Sequence, residues 1–215
     1  MHRGHRVAPC EGRRSGGGDM QALKDKVALV TGASAPHGIG RAVARRLAAD
    51  GAAVVVTDVD ASMQVDGALV PRSALLQGLV AEIVACGGTA VPLILDVTRA
   101  EDVERVVAET LTALGRLDIL VNNSGSLAGA DSFLSTTPDQ WQHSFAVNLL
   151  GPMMLARAAI PHMRAVGGGR IINIGSTASL GAEPGFGAYT AMKHGLVGLT
   201  KTLAAEFGLD RILCN

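Results

Sequence analysis

Residues 169–193 read GRIINIGSTASLGAEPGFGAYTAMK, and this stretch determines how the rest of the chain is interpreted. The apolar run Ile171–Ile174 predicts a buried strand, and a loop of small residues that contains Ser176 follows it. Tyr189 and Lys193 are four residues apart, so on a helix they share one face. An ammonium beside a phenol favours the phenolate, which suits a proton donor to a developing alkoxide. Tyr-x-x-x-Lys alone is a weak pattern, because a half-buried Tyr and a solvated Lys often have this spacing.

A glycine-rich turn near the start of the chain predicts a phosphate-binding site. The apolar run Val27–Val30 leads into TGASAPHGIG at residues 31–40, and Ile39, Val43 and Leu47 then repeat at helical spacing. Glycines allow the backbone to approach a pyrophosphate, and the start of a helix presents free N–H groups and a positive dipole end. Strand, glycine turn and helix in this order are typical of dinucleotide-binding proteins.

Asp58 follows the second apolar run, at residues 52–57, and lies 26 positions after Gly32. An acidic residue near this spacing meets the adenosine ribose, where it accepts from the 2′-hydroxyl and repels a 2′-phosphate. The sequence therefore favours NAD over NADP. A protonated His37 could soften that preference, and the local alternative is an Asp that caps the following turn.

The composition excludes several classes of partner. Hydrophobic residues make up 48% of the 215 residues but aromatic residues only 3%, which suits a parallel sheet covered by helices. Lys plus Arg and Asp plus Glu number 19 each, so no overall charge would attract nucleic acid or an anionic membrane. No apolar segment approaches the roughly 18 residues of a membrane span. We therefore expect neither nucleic acid nor membrane as a partner.

The cysteines and histidines suggest no metal site. Cys10, Cys86 and Cys214 lie far apart without a CxxC or Cys/His cluster, and the six histidines show no ligand spacing such as HExxH. The cysteines predict neither a disulfide framework nor a zinc site. A reducing, cytoplasmic compartment fits them best.

The chain is predicted to hold one domain behind a disordered tail. Residues 1–22 contain four arginines and three consecutive glycines but no apolar segment that could serve as a secretory signal. Residues 23–215 carry the apolar runs of a doubly wound α/β fold, with a mainly parallel sheet of about six strands and helices on both faces. Within them, Gly67 and Pro71 predict an irregular surface insertion between Asp60 and Ser73.

The order of motifs resembles that of the short-chain dehydrogenase/reductase family. The glycine turn is followed by NNSG at residues 122–125, by Asn148 within VNLLG, and by Ser176, Tyr189 and Lys193. The resemblance covers residues 24–215, and its specificity lies in the combination. It implies a Rossmann-like fold and an NAD(H)-dependent oxidoreductase that interconverts a secondary alcohol and a ketone as small-molecule substrates.

The resemblance also implies a role for each matching residue. Tyr189 would be the general acid/base, Lys193 would support it and bind the nicotinamide ribose, and Ser176 would hold the carbonyl oxygen. Asn148 would anchor a water that relays protons, whereas read locally it is a satisfied core amide. Gly151–Pro152 is expected to kink the helix after it. Besides Tyr189 and Lys193, the cofactor-binding residues would be Gly32, Ser34, Gly38, Ile39, Gly40, Asp58, Asp96, Val97, Asn123 and Gly125.

The chain departs from the family pattern in three places. Its glycine turn is two residues longer and includes Pro36 and His37, Ser124 replaces the alanine of NNAG, and the family's last strand, nicotinamide clamp and substrate lid are absent after Asn215. Two alternatives therefore stay open: a catalytically impaired, truncated nucleotide-binding relative, and a 3-oxoacyl carrier-protein reductase, which commonly uses NADP. A homo-dimer or homo-tetramer is expected, because relatives pair through the helices at 137–163 and 189–207.

Overall fold

The computed structural model describes residues 21–215, which form eight strands and six α-helices. The strands are β1 (Val27–Val30), β2 (Ala53–Asp58), β3 (Ser62–Val65), β4 (Ala68–Pro71), β5 (Thr89–Ile94), β6 (Ile119–Asn122), β7 (Gly169–Asn173) and β8 (Ile212–Cys214). The helices are α1 (Ile39–Ala49), α2 (Arg72–Ala85), α3 (Ala100–Leu114), α4 (Pro138–Phe145), α5 (Gly151–Ala165) and α6 (Gly187–Phe207).

Six strands form one parallel sheet in the order β5-β2-β1-β6-β7-β8. The strand order reverses between β1 and β6, so the loops that leave these two strands diverge and border a crevice at the carboxyl edge of the sheet. The predicted doubly wound fold with six mainly parallel strands is confirmed. Its topology places the glycine turn after β1 beside residues 123–125, which directly follow β6.

Both faces of the sheet are covered, which explains why the strands are apolar at nearly every position. Leu29 and Val55 face one side, where they pack with residues of α3 and α5 such as Val106 and Leu155. The alternate residues of the same strands face the other side and pack with the apolar face of α2, which includes Leu79. The sheet is therefore the buried middle layer, and polar side chains can gather only at its edges.

The segment between Asp60 and Ser73 is a regular hairpin, so the prediction of an irregular insertion is wrong. Strands β3 and β4 pair antiparallel, with Val65 opposite Ala68. The two residues of the turn, Asp66 and Gly67, have φ values of 49° and 81°. An Asp-Gly pair at positive φ is the preferred two-residue hairpin turn, because its twist matches that of the strands. The Asp66–Gly67 dipeptide is therefore a sequence signal for a β-hairpin.

The irregularity in the helix after Asn148 also differs from the prediction. A π turn at Ala146–Leu150 joins α4 to α5 and includes Asn148, so the backbone departs from α-helical geometry ahead of Gly151 rather than at it. Proline has no N–H, so Pro152 cannot donate to the Asn148 carbonyl four residues before it. The effect of Pro152 is therefore to remove a backbone hydrogen bond from the turn that precedes it.

Several predictions depend on residues outside the described part of the chain. The tail prediction for residues 1–20 lies there, while Gln21 belongs to a turn in which its carbonyl accepts from the Lys24 N–H at 2.9 Å. Cys10 also lies there, so the predicted reducing, cytoplasmic compartment stays a prediction. Cys214 is a buried free thiol. Within residues 21–215, no helix is both long and apolar enough to cross a membrane.

Candidate active site

The glycine turn after β1 is fastened to the end of β6 by Asn123. Its Nδ2 donates to the carbonyl oxygens of Thr31 at 2.8 Å and of Gly32 at 3.0 Å. A Cβ on Gly40 would lie 2.5 Å from that Nδ2 and 2.6 Å from the Gly32 carbonyl oxygen, and Gly32 itself has a φ of 65°. Both glycines are therefore required by the packing of the turn against β6, which fixes the turn at the point where the strand order reverses.

The two extra residues of the glycine turn form a tight turn of their own. The Gly38 N–H donates to the Ala35 carbonyl at 3.0 Å, so Pro36 and His37 are the central residues of a β-turn. Proline suits the first of these positions because its φ is fixed. Helix α1 then starts at Ile39 with no side-chain cap and no acidic residue in its first turn. An uncapped helix start of this kind suits a phosphate.

A cleft of about 410 Å³ lies at the carboxyl edge of the sheet. Residues from the loops after β1, β2, β5 and β6 line it, and six of them are predicted cofactor residues: Gly32, Asp58, Asp96, Val97, Asn123 and Gly125. The other predicted residues lie outside this lining: Ser34, Gly38, Ile39, Gly40, Asn148, Ser176, Tyr189 and Lys193. The cleft therefore contains residues predicted for the adenosine side of the site, whereas the predicted catalytic residues lie in the π turn after α4, in the loop after β7 and on α6.

The carboxylate of Asp58 is engaged on both oxygens. Its Oδ2 accepts from the Ser34 N–H at 3.1 Å and from the Ser34 hydroxyl at 2.6 Å, and its Oδ1 accepts from the Val59 N–H at 2.9 Å. Nη1 of Arg72 lies 3.3 Å from each carboxylate oxygen and donates to Ser34 Oγ at 3.0 Å. Asp58 thus lies at the predicted place but shares it with a cation that the sequence analysis did not single out.

Asp96 adopts the local role of a turn residue. Its Oδ1 accepts from the Thr98 N–H at 2.9 Å and from the Thr98 hydroxyl at 2.7 Å. This fixes the loop between β5 and α3 and exposes Val97 and Thr98 to the same cleft. Asp96 can therefore both stabilise this turn and line the cleft predicted to bind the cofactor.

Tyr189 and Lys193 lie together on the first turns of α6. Nζ of Lys193 is 5.6 Å from the centroid of the Tyr189 ring and donates to the Ile174 carbonyl at 2.6 Å. The Lys193 side chain is buried, at 4% exposure, and this burial lowers its pKa. Tyr189 is half-buried. A cation is thus held against the phenol ring and fixed to the loop that follows β7.

Ser176 lies in that same loop, two residues after Ile174. Its Oγ accepts from the Ala178 N–H at 3.2 Å, and its own N–H donates to Ser179 Oγ at 3.0 Å. The 3₁₀ turn Thr177–Ser179 that it caps packs against α6. Because the Ser176 hydroxyl accepts this bond, its proton remains able to donate to another acceptor.

Asn148 is fully buried in the π turn and uses its amide within the protein. Its Nδ2 donates to the Ser126 carbonyl at 2.8 Å and to the Ser144 carbonyl at 3.0 Å, and its Oδ1 accepts from the Ser126 N–H at 3.2 Å. The side chain therefore fixes the loop after β6, which matches the core-amide interpretation. The π turn itself packs against α6, where a Cβ on Gly195 would lie 2.9 Å from Leu149.

The residues of the cleft wall that the sequence analysis did not single out include the polar side chains of Arg72, Ser126 and His143. Ser126 directly follows the NNSG motif and was within reach of sequence reasoning, whereas Arg72 and His143 carry no local signal. Among residues 21–215, no three His, Cys, Asp or Glu side chains cluster in a way that could hold a metal ion. The polar groups at this edge are hydroxyls, amides, one phenol, the His143 imidazole and a few charged side chains.

A parallel sheet with a glycine turn at its switch point and a Tyr–Lys pair beside it defines a nucleotide-binding oxidoreductase. The family model for short chain dehydrogenases matches residues 26–215, so the chain belongs to the short-chain dehydrogenase/reductase family.

Three relatives show the extent of the similarity. A 3-oxoacyl-[acyl-carrier-protein] reductase from Synechocystis sp. is 38% identical over 91% of this chain and 74% of its own length. The human dehydrogenase/reductase SDR family member 4 is 39% identical over 90% of this chain and 64% of its own length. An uncharacterized NAD-dependent oxidoreductase from Mycobacterium tuberculosis is 39% identical over 90% of this chain and 70% of its own length.

The fold is also similar to that of solved structures. A metagenomic short-chain oxidoreductase in complex with NADP superposes with a TM-score of 0.79 at 37% identity, covering 88% of this chain and 80% of that chain. The relatives thus include one named for NAD and one solved with NADP. The family uses NAD(P), and the chain spans about two thirds to four fifths of these relatives.

Proposed function

We propose that the chain is an NAD(P)(H)-dependent oxidoreductase that interconverts a secondary alcohol and a ketone, with Tyr189 as general acid/base. The observation that carries this proposal is the buried Lys193 ammonium held against the Tyr189 ring. Its fixed contact with the Ile174 carbonyl keeps the cation in place, because a buried charge without a partner would be costly.

The residues of the cleft fit a nicotinamide dinucleotide. The uncapped start of α1 suits the pyrophosphate, and Asp58, Asp96, Val97 and Gly125 provide walls for the adenosine. When bound, the nicotinamide supplies a hydride to the carbonyl carbon or accepts one from the alcohol. Ile39 and Gly40 would hold phosphate through their backbone, while Gly38, whose N–H donates to the Ala35 carbonyl, would hold the turn that places them. Ser34 would act indirectly by holding Asp58.

In the reducing direction Tyr189 gives its hydroxyl proton to the substrate oxygen, and in the oxidising direction it takes that proton back. Lys193 stabilises the resulting phenolate by its charge, and Ser176 donates a hydrogen bond to the same substrate oxygen. Asn148 shapes the site by fixing the loop at Ser126. Because Pro152 cannot donate to the Asn148 carbonyl, that carbonyl is the group we assign to the water of the proton relay.

The role of Tyr189 is tested by comparing the turnover of the wild type with that of two variants. We expect Tyr189→Phe, which keeps the ring and removes the hydroxyl, to lower kcat for ketone reduction by roughly 10²- to 10⁴-fold, the usual contribution of a general acid. Binding of NADH by the variant, followed by fluorescence, should stay unchanged. Phe145→Tyr, a change on an exposed ring, serves as the control. Equal turnover by wild type and Tyr189→Phe would overturn the proposal.

Two alternatives have distinct outcomes in the same assay. A 3-oxoacyl carrier-protein reductase is favoured by the 38% identity to the Synechocystis reductase, and it would reduce an acetoacetyl thioester far faster than simple ketones. A catalytically impaired nucleotide-binding protein would bind NADH and reduce neither. The panel should therefore include an acetoacetyl thioester, a linear ketone and a cyclic ketone, each with NADH and with NADPH.

We also propose a homo-dimer or homo-tetramer, assembled through α4–α5 and α6 as in the family. Leu134 and Phe133, just before α4, are exposed apolar side chains at 93% and 69%, which is consistent with burial by a second copy. Light scattering during gel filtration distinguishes a monomer from either assembly.

A further inference from the structure

Arg72 occupies the place in the cleft where the adenosine ribose is expected. The β3–β4 hairpin fixes its backbone, since Ser62 pairs with Pro71 at the open end of the hairpin and the Arg72 N–H donates to the Ala61 carbonyl at 2.8 Å. The side chain then crosses to Asp58 and Ser34. The hairpin therefore delivers a cation to a site whose chemistry the sequence assigns to an acidic residue alone.

Asp58 has little capacity left for a ribose hydroxyl. An ionised carboxylate offers about four lone-pair positions. Ser34 fills two of them through its N–H and hydroxyl, Val59 fills a third, and Arg72 Nη1 is shared between both oxygens. The carboxylate is also only 8% exposed. A ribose diol would have to displace one of these donors before Asp58 could accept from it.

Arg72, in contrast, has donors to spare. Only Nη1 makes hydrogen bonds to other side chains, and Nε is buried without a partner among the described residues. The side chain is 26% exposed and lines the same cleft as Asp58 and Gly32. A guanidinium with free N–H groups binds phosphate through charge-assisted, often paired hydrogen bonds.

We propose that Arg72 is the residue that recognises the 2′ substituent of the cofactor, so that NADP(H) binds with an affinity within about tenfold of that of NAD(H) despite Asp58. This inference rests on the proposed function and deepens it. The Asp58–Arg72 pair carries no net charge, so the repulsion that a lone Asp58 would exert on a 2′-phosphate is cancelled. The spare donors of Arg72 then bind the phosphate directly.

The test measures cofactor binding without turnover. Dissociation constants of NADH and NADPH would be determined by calorimetry for wild type, Arg72→Met, Arg72→Lys and the control Arg45→Met, whose side chain is exposed on α1. We expect Arg72→Met to weaken NADPH binding by roughly 10- to 100-fold, the value of a charged hydrogen-bonded contact. NADH binding should stay equal or become tighter, because Asp58 gains a free acceptor. Arg72→Lys should keep part of the NADPH affinity, and Arg45→Met should change neither.

Two results would overturn this inference while the proposed function stands. One is a wild-type protein that binds NADH but binds NADPH more than about 100-fold more weakly. The other is an unchanged NADPH-to-NADH ratio in Arg72→Met, particularly if His37→Gln changes that ratio, since His37 is the other cation considered for this role. Binding of neither cofactor to the wild type would overturn the proposed function and this inference with it. Circular dichroism checks each variant for folding, and Arg72→Gln replaces Arg72→Met if the latter does not fold.

Discussion

A buried aspartate lies beside an arginine at each edge of the sheet, Asp118 at the amino edge and Asp58 at the carboxyl edge. Asp118 receives two nitrogens of Arg116, each at 2.7 Å, together with Lys26 Nζ at 3.1 Å and the Val27 N–H at 3.0 Å. Asp58 receives a single nitrogen of Arg72 at 3.3 Å. The Asp118–Arg116 pair is short and bidentate. The Asp58–Arg72 pair is longer, and it leaves most of the N–H groups of the guanidinium without a carboxylate partner.

The electrostatics of the Asp118 cluster show why it is structural. Burial by itself raises the pKa of Asp118, but the hydrogen bonds from Arg116, Val27 and Lys26 together outweigh it, so the pKa lies below its ordinary value. The same contact raises the pKa of Arg116. Both groups are therefore held in their charged forms, and the cluster ties the start of β6 to the start of β1.

Each edge also has a hollow, and the larger one, of about 490 Å³, lies at the amino edge. Size does not make it the functional site. Two of its cations, Lys26 and Arg116, are already committed to Asp118, whereas ligands of open α/β sheets bind at the carboxyl edge. The comparison teaches that an arginine with unused donors at the carboxyl edge of the sheet, rather than a cavity volume, indicates where a ligand is recognised.

The largest effect is expected from Asp118→Asn. The change removes the charge that two cations and a backbone N–H share, and we expect a loss of about 3 kcal/mol in the free energy of unfolding. Urea titration followed by circular dichroism measures it. Asp210→Asn is the control, because Asp210 also forms a two-nitrogen pair with an arginine, Arg164, but at a more exposed site. The control should lose less than about 1 kcal/mol. Similar losses in both variants would contradict the assignment.

The part of the stability loss in Asp118→Asn that comes from the lost charge should depend on pH. The folded-state pKa of Asp118 is lowered below its unfolded value of about 3.9. Its stabilisation is therefore fully present above that value and is lost as the pH falls through the folded-state pKa. Unfolding free energies of wild type and Asp118→Asn should converge as the pH is lowered from 5 toward about 2. A gap that stays constant over this range would show that the loss comes from packing rather than charge.

Gly40→Ala tests the packing of the glycine turn after β1 against the end of β6, at the carboxyl edge of the sheet. A Cβ there would meet Asn123 Nδ2 and the Gly32 carbonyl, neither of which can move freely, so we expect a loss of about 2 kcal/mol in stability and weaker cofactor binding. Gly78→Ala is the matched control, since nothing lies within 4 Å of the Cβ position in the middle of α2. It should gain about 0.5 to 1 kcal/mol. A tolerated alanine at Gly40 would mean that the turn can shift away from β6.

Sequence reasoning found the sheet because both of its faces are buried. Strands such as β1 and β2 are apolar at nearly every position, and the glycine turn follows directly from the first of them. It predicted that Tyr189 and Lys193 share one face of a helix because that pairing depends only on helical spacing, and the two side chains do lie together on α6. It misread residues 60–73 by counting Gly67 and Pro71 as breakers, although Asp66–Gly67 is a hairpin signal.

The position of Arg72 could not be read from the sequence. It follows Asp58 by 14 residues, and only the length and register of the β3–β4 hairpin bring the two side chains together. The same limit applies to Asn148, whose neighbours Ser126 and Ser144 meet it through the π turn. Local periodicity predicts helices and strands. Contacts between them depend on how the connecting segments fold, such as the β3–β4 hairpin and the π turn.

The smallest stability effect is expected from Asp58→Asn, and it is the most direct measure of the difference between the two edges. Asparagine keeps one oxygen, which can accept from either the Ser34 or the Val59 N–H but not from both, and Arg72 is exposed enough to turn toward water once its partner is neutral. We therefore expect a loss of about 1 kcal/mol, a third of that for Asp118→Asn. Both variants would be compared in one urea series with the same wild-type preparation. If Asp58→Asn costs as much as Asp118→Asn, then Arg72 is as firmly committed to its aspartate as Arg116 is, and it has no donors free for a 2′-phosphate.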